Sequence, residues 1–74
     1  MQIESKRETI ELIMEYEGGD ITDEEVLILF SRLIKSGQAW TLQGSYGRTA
    51  RSLIENDYID KEGNINWDML ENMR

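Results

Sequence analysis

Apolar side chains recur along this chain at helical spacing, and glycines fall between the segments in which they recur. The pattern predicts a first helix from about Ser5 to Glu17, ended by Gly18 and Gly19. Ser5 and Glu8 have the spacing of a capping box, in which each side chain bonds the backbone amide of the other residue. Two apolar stripes run along this helix, one of Ile10, Ile13 and Met14 and the other of Leu12 and Tyr16.

The second predicted helix has the clearest start in the sequence, because Thr22 is a good N-cap and Glu25 lies three residues later. Residues 26–34 are then apolar on nearly every side. Lys35 and Gly37 have the positions of a helix C-terminus. A helix that is apolar all round is buried on several sides, so we expect it to form the centre of the core or to be shared with a second subunit.

A third helix is predicted from Ser45 or Tyr46 to Asn56, with one apolar and one polar face. Its inward positions are Ala50, Leu53 and Ile54, and its outward positions are Arg48, Arg51, Ser52 and Glu55. The connector before it, residues 38–44, is predicted as a loop or one short helical turn.

Residues 58–65 have the pattern of a tight turn or a very small hairpin, since apolar residues flank the polar sequence DKEG. A last helical segment is predicted from about Asn66 to Met73, where Trp67 and Leu70 are apolar. Together these elements describe an all-α fold. We expect one domain, residues 1–74, that is a small bundle of three principal helices plus a short C-terminal helix.

The composition restricts the kinds of functional site that the chain can form. The 74 residues include neither cysteine nor histidine, so disulfides, zinc–thiolate sites and the usual general base near neutral pH are excluded. The carboxylates fall in the first turns of helices and on polar faces rather than in a pair held by a pocket. We therefore expect no catalytic residue, no metal, no cofactor and no enzymatic activity. No apolar run approaches the roughly 20 residues of a membrane span, which indicates a cytoplasmic protein without a membrane partner.

Charge is distributed unevenly along the chain. The net charge is −7, yet residues 26–54 contain no Asp or Glu. Four bases lie in that stretch: Arg32, Lys35, Arg48 and Arg51. An acidic protein disfavours nucleic acid at long range and suits a basic partner. The basic middle nevertheless leaves an anionic partner open.

The connector and the start of the third helix hold the candidate contact residues. Trp, Tyr and Arg are the residue types enriched at interface hot spots. We therefore predict a partner-binding site of Trp40, Tyr46, Arg48 and Arg51. Two alternatives stay open: the aromatic residues cap the helical core, or the arginines pair with the chain's own acids, as Arg51 and Glu55 are spaced to do.

A helix-turn-helix arrangement is a further alternative. Residues 38–43, a turn at Gly44 and the third helix have roughly its outline, with the turn at residues 58–65 as a short wing. Ser45, Arg48, Thr49 and Arg51 would then face DNA. The low number of bases and the acids of the turn weigh against this interpretation.

The segment AWTLQGSYGRTARSLIENDYI, from Ala39 to Ile59, resembles a signature of very small, uncharacterised proteins of tailed bacteriophages. The similarity extends to the acidic start of the second helix and covers residues 13–59, but not the tail from Asp60 onwards. The resemblance implies a phage origin and an accessory role in an infected bacterial cell. It implies no activity.

Three functions remain. The first is a non-enzymatic accessory protein that binds a bacterial or phage protein, in one version through an acidic surface that mimics nucleic acid. The second is a small transcription regulator that binds DNA. The third is a small structural or assembly component of the virion. Homodimerisation through the second helix is compatible with each of them.

Overall fold

Four α-helices and one 3₁₀ turn follow one another along the chain. The computed structural model describes residues 8–42 and 44–72. The elements are α1 (Thr9–Gly18), α2 (Asp23–Ser36), a 3₁₀ turn (Gln38–Trp40), α3 (Gly44–Glu55) and α4 (Trp67–Asn72). The all-α prediction is confirmed. None of the described helices is long and apolar enough to cross a membrane.

Helix α1 packs on the core mainly through one of its two predicted stripes. Leu12 is fully buried and Tyr16 is half-buried. In the other stripe, Ile13 is partly buried against the core, whereas Ile10 and Met14 are 59% and 67% exposed. The helix begins after Glu8, whose backbone N–H donates to the Glu11 carboxylate. The predicted cap, Ser5, lies outside the described residues.

Helix α2 has the ends that the sequence predicts. The backbone N–H of Glu25 donates to the Thr22 hydroxyl (3.2 Å), and the backbone N–H of Thr22 donates to the Glu25 carboxylate (3.4 Å). Gly37 ends the helix at a φ of 82°, in the left-handed region that glycine adopts without strain.

Helix α2 is also the centre of the core. Its buried apolar side chains are Leu27, Leu29, Phe30, Leu33 and Ile34. Val26 and Ile28 are partly buried against the same cluster. A single copy of the chain therefore covers the apolar surface of α2, and the sequence argument for a second subunit at this helix does not hold.

Aromatic rings join α1, α2 and α3. The ring of Tyr16 lies 5.4 Å from that of Phe30 and 5.6 Å from that of Tyr46, and the Phe30 and Tyr46 centroids are 5.9 Å apart. These distances are those of favourable aromatic pairs. Helix α3 begins at Gly44, slightly before the predicted Ser45 or Tyr46, and its buried residues include Ala50.

The predicted turn at residues 58–65 is confirmed by an antiparallel bridge between Ile59 and Ile65. The Asp60 carboxylate accepts from the backbone N–H groups of Glu62 and Asn64, both at 2.9 Å. The Asn64 backbone bond is the main reason why the pKa of Asp60 is lowered from its ordinary value. The side chain thus organises its own turn.

The turn is fixed on α2 through Gly63. The Ser31 hydroxyl of α2 donates to the Gly63 carbonyl oxygen, and Gly63 has a φ of 95°. Beyond the turn, the Asn66 side chain accepts from the backbone N–H of Met69 and so caps α4. Trp67 packs partly buried against the core, while Met73 lies outside the described residues.

Candidate functional site

An aromatic side chain and two arginines share the outer side of the connector and α3. Trp40 is 51% exposed, and Arg48 and Arg51 are exposed. Gly44 and Gly47 lie between them on the helix. We call these five residues the Trp40 surface.

The indole of Trp40 lies against α3 at Gly47. A Cβ atom at Gly47 would lie 3.9 Å from Trp40 Cε3 and 3.5 Å from the Ala39 carbonyl oxygen, both ordinary contacts. The backbone N–H of Trp40 donates to the Gly37 carbonyl (3.2 Å) and so holds the backbone of the 3₁₀ turn. The ring thus rests on α3 on one side while half of its area stays in solvent.

Both arginines lie on the helix that supports this ring. Gly44, Gly47 and Arg51 are three and four residues apart, which puts them in one row along the helix. Arg48 lies in the neighbouring row and turns back along the helix, so that its Nη1 is 3.4 Å from the place of a Cβ on Gly44. Two exposed arginines and the exposed indole therefore share the same stretch of α3.

Within residues 8–42 and 44–72, the arginine charges of this surface are not neutralised by ion pairs. Among the described residues, neither Arg48 nor Arg51 makes an ion pair, and Arg51 does not bond the Glu55 carboxylate. The alternative in which both arginines pair with the chain's own acids is therefore not what the described residues adopt. Both guanidinium groups keep their planar set of donors for an external carboxylate or phosphate.

Tyr46 does not belong to this surface. Its side chain is 4% exposed, and its hydroxyl donates to Glu17 Oε2 at 2.7 Å. Burial, followed by this hydrogen bond, raises the pKa of Tyr46 to about 12. The prediction that Tyr46 contacts a partner is wrong, because the face of α3 that holds Tyr46 and Ala50 is the face that packs on α1 and α2.

The spacing in the sequence contained the signal for this burial. Tyr46, Ala50 and Leu53 are four and three residues apart, and so lie on one helix face. Ala50 and Leu53 were expected to point inward, as they do. A tyrosine is compatible with either a buried or a surface position, and only the neighbouring rings of Tyr16 and Phe30 decide which it takes.

Sequence reasoning also missed exposed apolar residues. Ile10 and Met14 on α1 and Leu42 in the connector belong with Trp40 to the large apolar side chains that remain exposed. Leu42 is 40% exposed, so its side chain neither closes the end of the core nor is covered by another part of the described chain. Helical spacing predicted two apolar stripes on α1 and gave no basis for choosing which of them meets the core.

The helix-turn-helix outline changes in the structure. Residues 38–40 form one 3₁₀ turn rather than a first helix, so the outline predicted for residues 38–56 is incomplete. The turn at residues 58–65 does follow α3, in the place of a wing. Its exposed carboxylates, Asp57, Asp60 and Glu62, face solvent.

The described part of the chain contains no group of three or more His, Cys, Asp or Glu side chains placed to hold a metal ion. A groove of about 630 Å³ lies between the end of α3, the turn and α4. Its lining includes Asp60 and Asn64, which bond each other, and the exposed Asp57 and Lys61.

A comparison with protein-family models gives one match, to a domain of unknown function, DUF7417, over residues 6–74. The chain belongs to the DUF7417 family. No curated protein and no solved structure matches it. The DUF7417 match includes α1, α2 and the whole Trp40 surface, so these features belong to one family domain.

Proposed function

We propose that this DUF7417 protein is a non-enzymatic accessory protein of a tailed bacteriophage, and that its Trp40 surface binds a bacterial or phage protein. The observation that supports this proposal is an exposed tryptophan beside two arginines that have no ion pair among the described residues. Tryptophan and arginine are the types that most often dominate interface energies.

The chemistry of the surface indicates the chemistry of its partner. The half-exposed indole needs an apolar pocket, because covering it removes apolar area from water. Each guanidinium group can make two parallel hydrogen bonds with one carboxylate. The partner therefore presents Asp or Glu beside an apolar depression.

The rest of the molecule orients such a partner. Residues 8–31 hold eight acids and no base. An acidic partner is repelled by this part and attracted by the Trp40 surface, so its approach is steered to one side. The acidic part fits nucleic-acid mimicry less well, since the exposed Ile10 and Met14 interrupt its charges.

DNA binding is the second candidate. It is favoured by the exposed face of α3, where Ser45, Arg48 and Arg51 lie in the order of a recognition helix. It is opposed by the carboxylates of the following turn, which would meet phosphates. The missing first helix of the motif also weakens it.

A pull-down from host lysate tests the proposal. The bait is the native protein, the Trp40→Ala/Arg48→Ala variant, or Lys61→Ala as a control that removes an exposed base outside the Trp40 surface. We expect native protein and Lys61→Ala to recover the same proteins and the double variant to lose at least one of them. Identical sets from all three baits would contradict the proposal.

Fluorescence anisotropy with phage and host promoter fragments tests the second candidate, DNA binding. If the Trp40 surface binds a protein instead, we expect no affinity for DNA even at low salt. Affinity that falls steeply with salt, and that Arg48→Ala/Arg51→Ala removes while Lys61→Ala retains it, would favour DNA binding instead.

A further inference from the structure

Helix α1 carries a second exposed surface, and its charge is opposite to that of the Trp40 surface. Ile10 and Met14 are four residues apart and therefore adjacent on the helix. Both are more than half exposed. Exposed Glu11 lies beside them by helical spacing. Glu17 is left out, because its carboxylate already accepts from the Tyr46 hydroxyl. We call Ile10, Glu11 and Met14 the α1 strip.

The α1 strip and the Trp40 surface are complementary. The α1 strip is aliphatic with an acid, Glu11, at its edge, and the Trp40 surface is aromatic with two arginines. Two α1 strips in contact would place acid against acid, and two Trp40 surfaces would place base against base. A strip against a surface buries apolar groups on both sides and pairs opposite charges.

The two surfaces lie on opposite sides of the molecule. Tyr16 and Tyr46 face each other across the core, with ring centroids 5.6 Å apart. Met14 lies two residues before Tyr16, about 200° around the helix, and Arg48 lies two residues after Tyr46, about 200° around its own helix. Each exposed surface therefore points away from the ring contact that separates them.

We infer that the Trp40 surface of one copy binds the α1 strip of a second copy. The inference rests on the proposed function, since it uses the same surface and names the chain itself as a partner. Because the two sides of the contact differ and point in opposite directions, the contact is head-to-tail. Such a contact repeats from copy to copy into a ring or an open filament, which is also the property that a small virion component would need.

The net charge of −7 does not prevent this contact. The shortest dimension of the molecule is 19 Å, which exceeds two Debye lengths of about 8 Å each at physiological salt. Repulsion between whole copies is thus largely screened. The attraction between guanidinium and carboxylate groups in direct contact is screened much less. The complementarity of the two surfaces therefore outweighs the net charge.

Analytical ultracentrifugation of two complementary variants tests the inference. Arg48→Glu/Arg51→Glu removes the Trp40 surface, and Ile10→Glu/Met14→Glu removes the α1 strip. All four side chains are exposed, so the variants keep the core, which circular dichroism checks. Lys61→Glu is the control at an exposed position outside both surfaces. Its charge change of −2 equals that of each Arg→Glu substitution and the total change of Ile10→Glu/Met14→Glu.

We expect the native protein and Lys61→Glu to exceed the mass of a dimer as the concentration rises to about 1 mM, the range of weak contacts. Each double variant alone stays at the 8.7 kDa of one chain. Their mixture forms a one-to-one dimer and nothing larger, since one intact strip and one intact surface remain.

A native protein that stays monomeric at this concentration would overturn the inference. So would a double variant that dimerises alone, which indicates a symmetric contact, or a mixture that forms no complex. The proposed function fails by a different result, namely identical pull-down sets. A monomeric native protein whose partners are still lost with Trp40→Ala/Arg48→Ala contradicts only the self-association.

Discussion

Two segments pack on α2 in different ways. Residues 38–42 and 44–55 lie on it through the aromatic rings and Ala50, with Gly47 as the place where the connector crosses α3. Residues 58–65 are fixed on it at Gly63, whose carbonyl accepts from the Ser31 hydroxyl and whose Cα lies close to the backbone of α2. Both crossings contain a glycine, but the space around the two glycines is not the same.

The difference separates a glycine that is required from one that is permitted. A Cβ on Gly63 would lie 2.7 Å from Lys35 Cγ and 2.9 Å from the Ser31 carbonyl oxygen. A Cβ on Gly47 would have only ordinary contacts, the nearest at 3.5 Å. The turn thus depends on one residue, whereas the Trp40 surface lies on a helix that tolerates substitution.

The largest effect is expected for Gly63→Ala. The substitution places Cβ against a backbone carbonyl that cannot move aside and forces alanine to a φ of 95°. We expect the free energy of unfolding to fall by about 3 kcal/mol or more, measured by urea denaturation. Gly37→Ala is the control, because its φ is 82° but nothing lies within 4 Å of its Cβ; it should cost only about 1 kcal/mol. Equal losses in the two variants would contradict the steric account.

A smaller effect is expected for Tyr46→Phe, which tests the segment that packs on α2 through aromatic rings. Loss of the hydrogen bond to Glu17 should lower the free energy of unfolding by about 1 kcal/mol at neutral pH. The remaining Glu17 carboxylate is exposed and can be solvated by water. Urea midpoints of the variant and the native protein measure the difference.

The pH dependence of the same pair sharpens this test. The pKa of Tyr46 is about 12 in the folded protein and 10.0 ordinarily. Above pH 10 the unfolded chain releases this proton and the folded protein retains it, so native stability falls as pH rises from 10 to 12. Tyr46→Phe should show a shallower loss between pH 10 and 12. The same slope in both proteins would contradict the assigned hydrogen bond and burial.

The smallest effect is expected for Gly47→Ala, and its sign is opposite. Alanine fits the space at this position and is the better helix former, so the free energy of unfolding should rise by about 0.5–1 kcal/mol. The emission of Trp40 should stay unchanged, because the indole keeps its place. A destabilised variant, or one with shifted Trp40 emission, would show that the contact between connector and helix is tighter than the distances indicate.

Most of the helices could be predicted from the sequence, but only part of the site could. Thr22 and Glu25 fix the start of α2 through bonds to each other, so neighbours along the chain suffice. Arg48 and Arg51 were correctly placed on the outer face of α3 by spacing alone. The burial of Tyr46 and the exposure of Ile10 could not be predicted, because helical spacing gives the faces of a helix without saying which one meets the core.

By itself the sequence determined the capped bounds of α2, the need of this helix for burial on several sides and the tight turn around Asp60. Each of these depends on residues a few positions apart or on apolar content summed over one helix. Only the tertiary structure decided that Tyr46 is core while Trp40 is surface, that α1 exposes Ile10 and Met14, and that Gly63 must be glycine. Those outcomes depend on atoms distant in sequence, such as the Ser31 carbonyl oxygen and the ring of Tyr16, which no local pattern specifies.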